Sequence, residues 1–181
     1  NKLKMNPSKT EFMIAVPRYH QASVDHLDPV LRVAGAVIRP QKQVRNLGVL
    51  FDSQMSMLPQ IKNTVRTCYF HLQTISRIRA NLTEEACAAA VRALILSRLD
   101  YANSLLVGVP ESARHRLQLV QNDAARMVAR MHRRDHITPT LKRLHWLPVK
   151  HRIDHKLLTL TFKSLTSPTA PSYLRVHKKR H

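Results

Sequence analysis

Glycine is scarce in this chain, 3 residues in 181, and no Gly-rich phosphate-binding loop can be drawn anywhere along it. The two cysteines, Cys68 and Cys87, both fall on apolar helical faces. They read as small buried hydrophobes rather than as disulfide partners or nucleophiles, which suits a reducing compartment. No apolar run reaches the roughly 18 residues that a membrane-spanning helix needs, because Arg92, Arg98 and Asp100 interrupt the most hydrophobic stretch. Trp146 is the only tryptophan, and its neighbours Leu144, Leu147 and Pro148 favour core packing over base stacking. Acid is the most telling shortage: 11 Asp and Glu, with no Asp-Asp pair, stand against 30 Lys and Arg. Phosphoryl transfer by a two-metal mechanism requires several converging carboxylates, so this stretch alone does not supply them. No Ser/His/Asp arrangement is justified by spacing either.

What the chain has is positive charge, unevenly placed. The net charge is +19; residues 1–60 hold 8 Lys/Arg and 4 Asp/Glu, and residues 61–181 hold 22 and 7, so the second part carries +15. An excess spread over several segments points to a polyanionic partner, nucleic acid first and an anionic membrane second. The length suits one ordinary domain, or a small domain with an appendage, able to bury a core without staples. Because the chain opens at Asn1 rather than at an initiator methionine, it reads as a piece of something longer.

From Ile61 to Met131 the apolar period is helical. Ile61, Val65, Cys68, Tyr69, Leu72 and Ile75 make one stripe, so the spacing predicts a helix over 61–80, ended by Asn81. Thr83 can cap the next helix, with Glu84 and Glu85 at the positive end of its dipole. That helix is expected over 84–107, with Cys87, Ala90, Val91, Leu94, Ile95, Leu99, Ala102, Leu105 and Leu106 apolar, and with Gly108 and Pro110 stopping it. A third, over 111–131, presents Leu117, Val120, Gln121, Ala124, Val128 and Met131. Asp100 would lie near a buried face and need an arginine such as Arg126. Leu94→Asp is expected to unfold the assembly.

The flanks differ. Asn6 to Ser8 forms an Asn-Pro turn, and Thr10–Val16, Leu31–Val37 and Val44–Phe51 read as short strands around a loop at 17–29. After a basic connector, His132 to His136, Thr138-Pro139 opens a short helix to about Leu144. Leu147-Pro148 then opens a longer one over 148–165. The tail, His177 to His181, is basic and could serve as a nuclear signal. His132 with His136, and His151 with His155, stand four apart as metal ligands would, but no third ligand supports them, and a solvated basic face is the reading. The expected fold is mainly α: a basic helical bundle after a short β-rich segment.

Several blocks, in order, carry a family resemblance. Asn6-Pro7-Ser8-Lys9-Thr10-Glu11-Phe12-Met13, Asn46-Leu47-Gly48-Val49-Leu50-Phe51-Asp52 and Ser97-Arg98-Leu99-Asp100-Tyr101-Ala102-Asn103 resemble the C-terminal part of reverse transcriptases from jockey-like non-LTR (LINE-type) retrotransposons. Leu117 to Arg126, His136 to Pro139, Leu144-His145-Trp146-Leu147-Pro148-Val149 and Ala170 to Leu174 resemble the same family's extension past the polymerase core. The resemblance covers nearly the whole chain.

It implies three parts: 1–56 as the C-terminal end of the palm with a primer-grip-like turn at Leu47, Gly48 and Val49; 57–131 as a thumb-like helical bundle; and 132–181 as a basic helical extension. It also implies that Lys9 stands where a lysine assists departure of pyrophosphate, a sensible use of an ammonium group. The family's Ala-Asp-Asp block and earlier aspartate have no counterpart in this chain. The palm aspartates and nucleotide-binding fingers would precede Asn1, and Mg²⁺ is expected only in the complete polymerase. The expectation is a fragment of an RNA-directed DNA polymerase that is inactive alone and holds an RNA, DNA or hybrid backbone. Its contacts would come from Arg114, Arg116, Arg126, Arg130, Arg133, Arg134, Lys142, Arg143, Lys150 and Arg152. The alternative is a domesticated or remnant helical module that binds protein and no nucleic acid.

Overall fold

A computed structural model describes residues 6–171 and residue 173. The chain is mainly α and divides into two compact units, Asn1–Asn63 and Thr64–His181. The boundary falls inside a helix, and the described part of the C-terminal extension belongs to the same unit as the helices before it.

The first unit is built on two short hairpins. Leu31–Val33 (β1) pairs antiparallel with Ala36–Ile38 (β2), and Gln43–Asn46 (β3) with Val49–Asp52 (β4). Each stretch expected as one strand is therefore two. The reason is local: Ala34 (φ 47°) and Gly35 (φ 83°), then Leu47 (φ 48°) and Gly48 (φ 81°), place both central residues of a two-residue turn in the left-handed region, whose twist matches the strands it joins. Thr10–Val16 is not a strand. It makes isolated backbone bonds to two different segments, Gln41 N–H to the Phe12 carbonyl (2.8 Å) and Val16 N–H to the Ser53 carbonyl (3.1 Å), and no ladder develops. The loop at 17–29 contains a short helix, Gln21–His26 (α1).

Leu58–Ile78 (α2) starts where Asp52 accepts from the backbone N–H groups of Ser56 (3.2 Å) and Met57 (3.0 Å), so the end of β4 anchors the entry to the helix. In the second unit, Thr83 accepts from Ala86 N–H and caps Glu84–Val91 (α3), as its position suggests. This helix runs through a π turn at Arg92–Leu96 into Ser97–Asp100 (α4) and breaks at Ala102, whose φ is 52°. A 3₁₀ turn, Asn103–Leu106, follows. The single helix expected over 84–107 is thus interrupted without glycine or proline at the break. Its tertiary reason is visible: the 3₁₀ turn packs on a later helix and buries Asn103 and Leu106.

Glu111–Ala129 (α5) packs against α3, against Thr138–Arg143 (α6) and against Val149–Thr166 (α7). Leu117, Val120, Ala124 and Val128 on α5 are buried, as are Cys68, Leu72, Ile75, Cys87, Val91, Ile95, Leu99, Leu141, Trp146 and Ile153 around it. Each large apolar side chain so buried contributes about 1.5–3 kcal/mol. The α2 stripe is buried at Ile61, Cys68, Leu72 and Ile75, whereas Tyr69 stays partly exposed. Within the π turn, Ile95 and Leu96 are buried and Leu94 is only half-buried, so of the two neighbours that periodicity places on the apolar face, Ile95 is in the core and Leu94 lies at its margin. Among the described residues, no helix is long and apolar enough to cross a membrane.

Candidate nucleic-acid interface

The ten basic residues proposed for backbone contact divide by what their guanidinium and ammonium groups already do. Arg114, Arg126 and Arg152 are half-buried and committed within the fold. Arg114 pairs with Glu111 and Arg126 with Asp123 (3.3 Å) along α5, and the Nε atoms of both are buried. Arg152 on α7 donates from Nη1 to Asp100 Oδ2 (2.7 Å) and from Nε to the Leu147 carbonyl (2.7 Å). Asp100 does need an arginine, and the partner is Arg152 rather than Arg126. Arg126 is spent on Asp123 three residues earlier on its own helix.

The other seven, Arg116, Arg130, Arg133, Arg134, Lys142, Arg143 and Lys150, are exposed. Arg143 pairs with Glu84 at the start of α3, and Arg130 reaches the carbonyls of Arg79 (3.5 Å) and Ala80 (3.4 Å). These contacts bring together the end of α2, the start of α3, the end of α5 and α6. Arg133 belongs to the same neighbourhood, because its charge is felt by Tyr69 on α2. Arg116, Arg133, Arg134, Lys142 and Lys150 form no ion pair among the described residues. By contrast, Glu84, Asp100, Glu111, Asp123 and Asp154 are all engaged by a basic side chain. The acids of this unit are mostly consumed internally, which leaves its outer cations uncompensated.

Burial and a hydrogen bond shape the titratable groups between these cations. Tyr69 donates its hydroxyl to Asp123 Oδ2 (2.9 Å), and burial followed by that bond pushes its pKa up to about 12, against the opposing pull of Arg133. Burial pushes the Cys68 thiol up to about 11, with Arg98 pulling it down. Cys87 is raised as well, by burial first; Arg79 and Arg130 oppose the shift. Both thiols are free, buried and held in the unreactive form.

A second cluster is assembled from residues that no sequence motif joins. Asp100, Asn103, His145, Leu147, Arg152, His155 and Lys156 line a cavity of about 310 Å³. Its walls come from the end of α4, the 3₁₀ turn, the connector between α6 and α7, and the first two turns of α7. His145 (φ 55°) terminates α6 in a left-handed conformation, and Trp146 N–H bonds back to the Leu141 carbonyl at 2.8 Å. Trp146 then enters the core while His145 remains exposed. Gln118 and Gln121 fix this connector to α5: Gln118 Oε1 accepts from Val149 N–H and Gln121 Nε2 donates to the Leu147 carbonyl, each at 2.9 Å. Sequence signals for the cluster existed in the Asp100–Asn103 and Leu144–Val149 blocks, but nothing in their spacing says that they meet.

In the first unit, Lys9 ends a 3₁₀ turn capped by Asn6, and its side chain is exposed. Leu47 and Gly48 form the exposed tip of the β3–β4 hairpin, while Val49 is buried beneath it. Among the described residues no three His, Cys, Asp or Glu side chains converge, so none is assigned to hold Mg²⁺. His151 lies 3.9 Å from Asp154. The basic tail from His177 lies outside the described residues. Compared with protein families, curated proteins and solved structures, the chain matches none.

Proposed function

We propose that this chain is the C-terminal, non-catalytic part of an RNA-directed DNA polymerase of the non-LTR retrotransposon kind, and that its helical unit holds template-primer nucleic acid by the phosphate backbone. The observation that carries the reading is the imbalance on the second unit: Arg116, Arg133, Arg134, Lys142 and Lys150 are exposed with no carboxylate partner among the described residues, while most acids there are already paired. Unpaired surface cations release counterions from a polyanion when they bind it, so affinity arises with little sequence preference and falls steeply with salt. The thumb-like role of the helices and the primer-grip role of Leu47, Gly48 and Val49 come from the family resemblance. Binding of an RNA–DNA hybrid, measured across a salt series with unrelated sequences, tests the proposal. A steep linear fall of log affinity with log salt, similar for all sequences, is expected; affinity that is independent of salt overturns it.

One observation favours the alternative of a protein-binding module. Leu157, Leu158, Leu160 and Phe162 on α7 are exposed large apolar residues within two turns of one helix. Under that reading hybrid binding is weak, and the salt series separates the two.

A further inference from the structure

We infer that the outer face of α2 is a surface for single-stranded nucleic acid, with Phe70 as the platform on which an unpaired base stacks. Arg66, Phe70, Gln73 and Arg77 follow one another at spacings of three or four residues, so they form one row along the helix, opposite the buried stripe of Cys68, Leu72 and Ile75. All four are exposed, and the 21 residues of α2 include no Asp or Glu. Arg66 and Arg77 form no ion pair among the described residues. At 1.5 Å of rise per residue they stand about 16 Å apart along the axis, the span of a few nucleotides. Between them Phe70 is 65% exposed, and Tyr69 beside it is 40% exposed. The chain holds only 4 Phe, 4 Tyr and 1 Trp, so two adjacent exposed aromatics concentrate a scarce kind of side chain on this face. Phe70 meets the His71 ring edge to face, with centroids 5.4 Å apart. The Tyr69 hydroxyl occupies Asp123, which also pairs with Arg126, so that acid is already spent. Arg98 acts on His71 and Arg133 on Tyr69, which places further cations on both flanks of the row.

Charge and ring together select the occupant. Cations follow the phosphates of a strand, and an aromatic side chain covers the face of a base that has no neighbour stacked on it. Bases inside a duplex have both faces covered, so Phe70 would gain nothing from them. A protein partner suits α7 better, where Leu157, Leu158, Leu160 and Phe162 form an apolar patch; on α2 the row places Arg66 and Gln73 on either side of Phe70. The inference rests on the nucleic-acid reading proposed above and adds to it an unpaired strand, met by residues outside the basic set assigned to the backbone grip.

The experiment measures, by fluorescence anisotropy across a salt series, binding of the full chain to a labelled 12-nucleotide oligothymidine and to a blunt duplex of the same length. Phe70→Leu, Phe70→Trp and the double variant Arg66→Ala with Arg77→Ala are compared with the wild type; all three positions are exposed, and thermal melting checks folding. Phe70→Leu should weaken single-strand binding by about tenfold, within the range of one base–aromatic stack, with the salt slope unchanged and duplex affinity altered by less than about twofold. Phe70→Trp should keep the affinity. The double variant should instead lower the single-strand slope by up to about 0.7 for each phosphate neutralised. A 2-aminopurine placed in the strand should lose fluorescence on binding the wild type and keep it with Phe70→Leu. Undetectable single-strand binding overturns the proposal, as does an equal loss for strand and duplex. Unchanged single-strand affinity in Phe70→Leu also overturns it and leaves the row to a protein partner. The outcomes also part from the backbone grip. Salt-dependent hybrid binding with no Phe70 effect on the single strand removes the stack alone, and Phe70-dependent single-strand binding without hybrid binding removes the grip alone.

Discussion

Arg79 holds the carbonyl of Val128 at 2.7 Å from Nη2 and so closes the C-terminal end of α5 from a position at the end of α2. The same guanidinium donates from Nε to the Met127 carbonyl (2.8 Å) and from Nη1 to the Leu82 carbonyl (2.8 Å). The last carbonyls of a helix lack intrahelical donors and carry the negative end of its dipole, so a half-buried arginine answers both needs. Arg79 thereby ties α2, the turn before α3 and α5 together without contributing to the outward basic surface.

Removing that clasp should cost stability rather than binding. Arg79→Ala is expected to lower the unfolding free energy by about 2–4 kcal/mol, since bonds from a charged donor are worth about 1.5–3 kcal/mol each and water recovers part of the loss. Chemical denaturation measures it. Arg79→Lys keeps the charge but not the fork, and should recover less than half of the loss.

Gln121 is fully buried on α5 and holds the Leu147 carbonyl. Gln121→Leu retains the apolar volume but removes one of the two donors to that carbonyl, leaving Arg152 Nε, and breaks the bond from Gln118 Nε2 to Gln121 Oε1 (3.0 Å). A destabilisation of about 0.5–1.5 kcal/mol for each lost hydrogen bond is expected, since Arg152 still serves the Leu147 carbonyl and Asn122 still accepts from Gln118. If thermal melting shows no change, the network is not holding the connector.

The arginines separate into two kinds by experiment. Arg133→Ala with Arg134→Ala should reduce the slope of log affinity against log salt by up to about 0.9 for each phosphate that an arginine neutralises, while leaving the melting temperature nearly unchanged. Arg126→Ala should do the reverse, because Arg126 is paired with Asp123 and largely buried. Equal slope changes for the two sets would contradict the division by burial.

Alkaline pH should weaken the fold. Tyr69, raised to about 12, and Cys68, raised to about 11, are both protonated in the folded chain at pH values where the unfolded chain ionises them. The unfolded state then binds fewer protons, so stability falls with rising pH. For Cys68 the loss runs from about pH 9 to pH 11, and for Tyr69 from about pH 10 to pH 12. Ultraviolet titration of tyrosinate in the wild type and in Tyr69→Phe identifies the late-ionising group. A thiol reagent at pH 8 should react with neither buried cysteine until the chain unfolds.

At the core, Ile95→Asp should abolish cooperative unfolding, whereas Leu94→Asp should be milder. Ile95 is fully buried and Leu94 half-buried, and a buried carboxylate without a partner carries a large desolvation cost. Circular dichroism with denaturant titration distinguishes them.

Local chemistry by itself determined the helices. Apolar spacing over Ile61–Ile75 and Leu117–Val128 marks α2 and α5, and Thr83 caps α3 because a hydroxyl accepting from a backbone N–H three residues on is a short-range event. Composition also marked the second part of the chain as the basic one, and placed both cysteines in the interior. The hairpins were readable in principle from Ala34-Gly35 and Leu47-Gly48; a period-2 reading carried straight through misplaces the second strand, because Val33 pairs with Ala36 and the two-residue turn shifts the alternation by one residue, which puts Val37 on the exposed face. Only tertiary structure decided the rest. Whether an arginine is a surface charge or an internal strut depends on the acid or carbonyl that reaches it, and for Arg79, Arg126 and Arg152 periodicity is silent about that partner. The break at Ala102 and the π turn at Arg92–Leu96 follow from burying Asn103 and Ile95 against elements far along the chain. The cavity joins residues some fifty positions apart, Asp100 with Arg152 among them, so its lining is assembled only when α7 lies against α4.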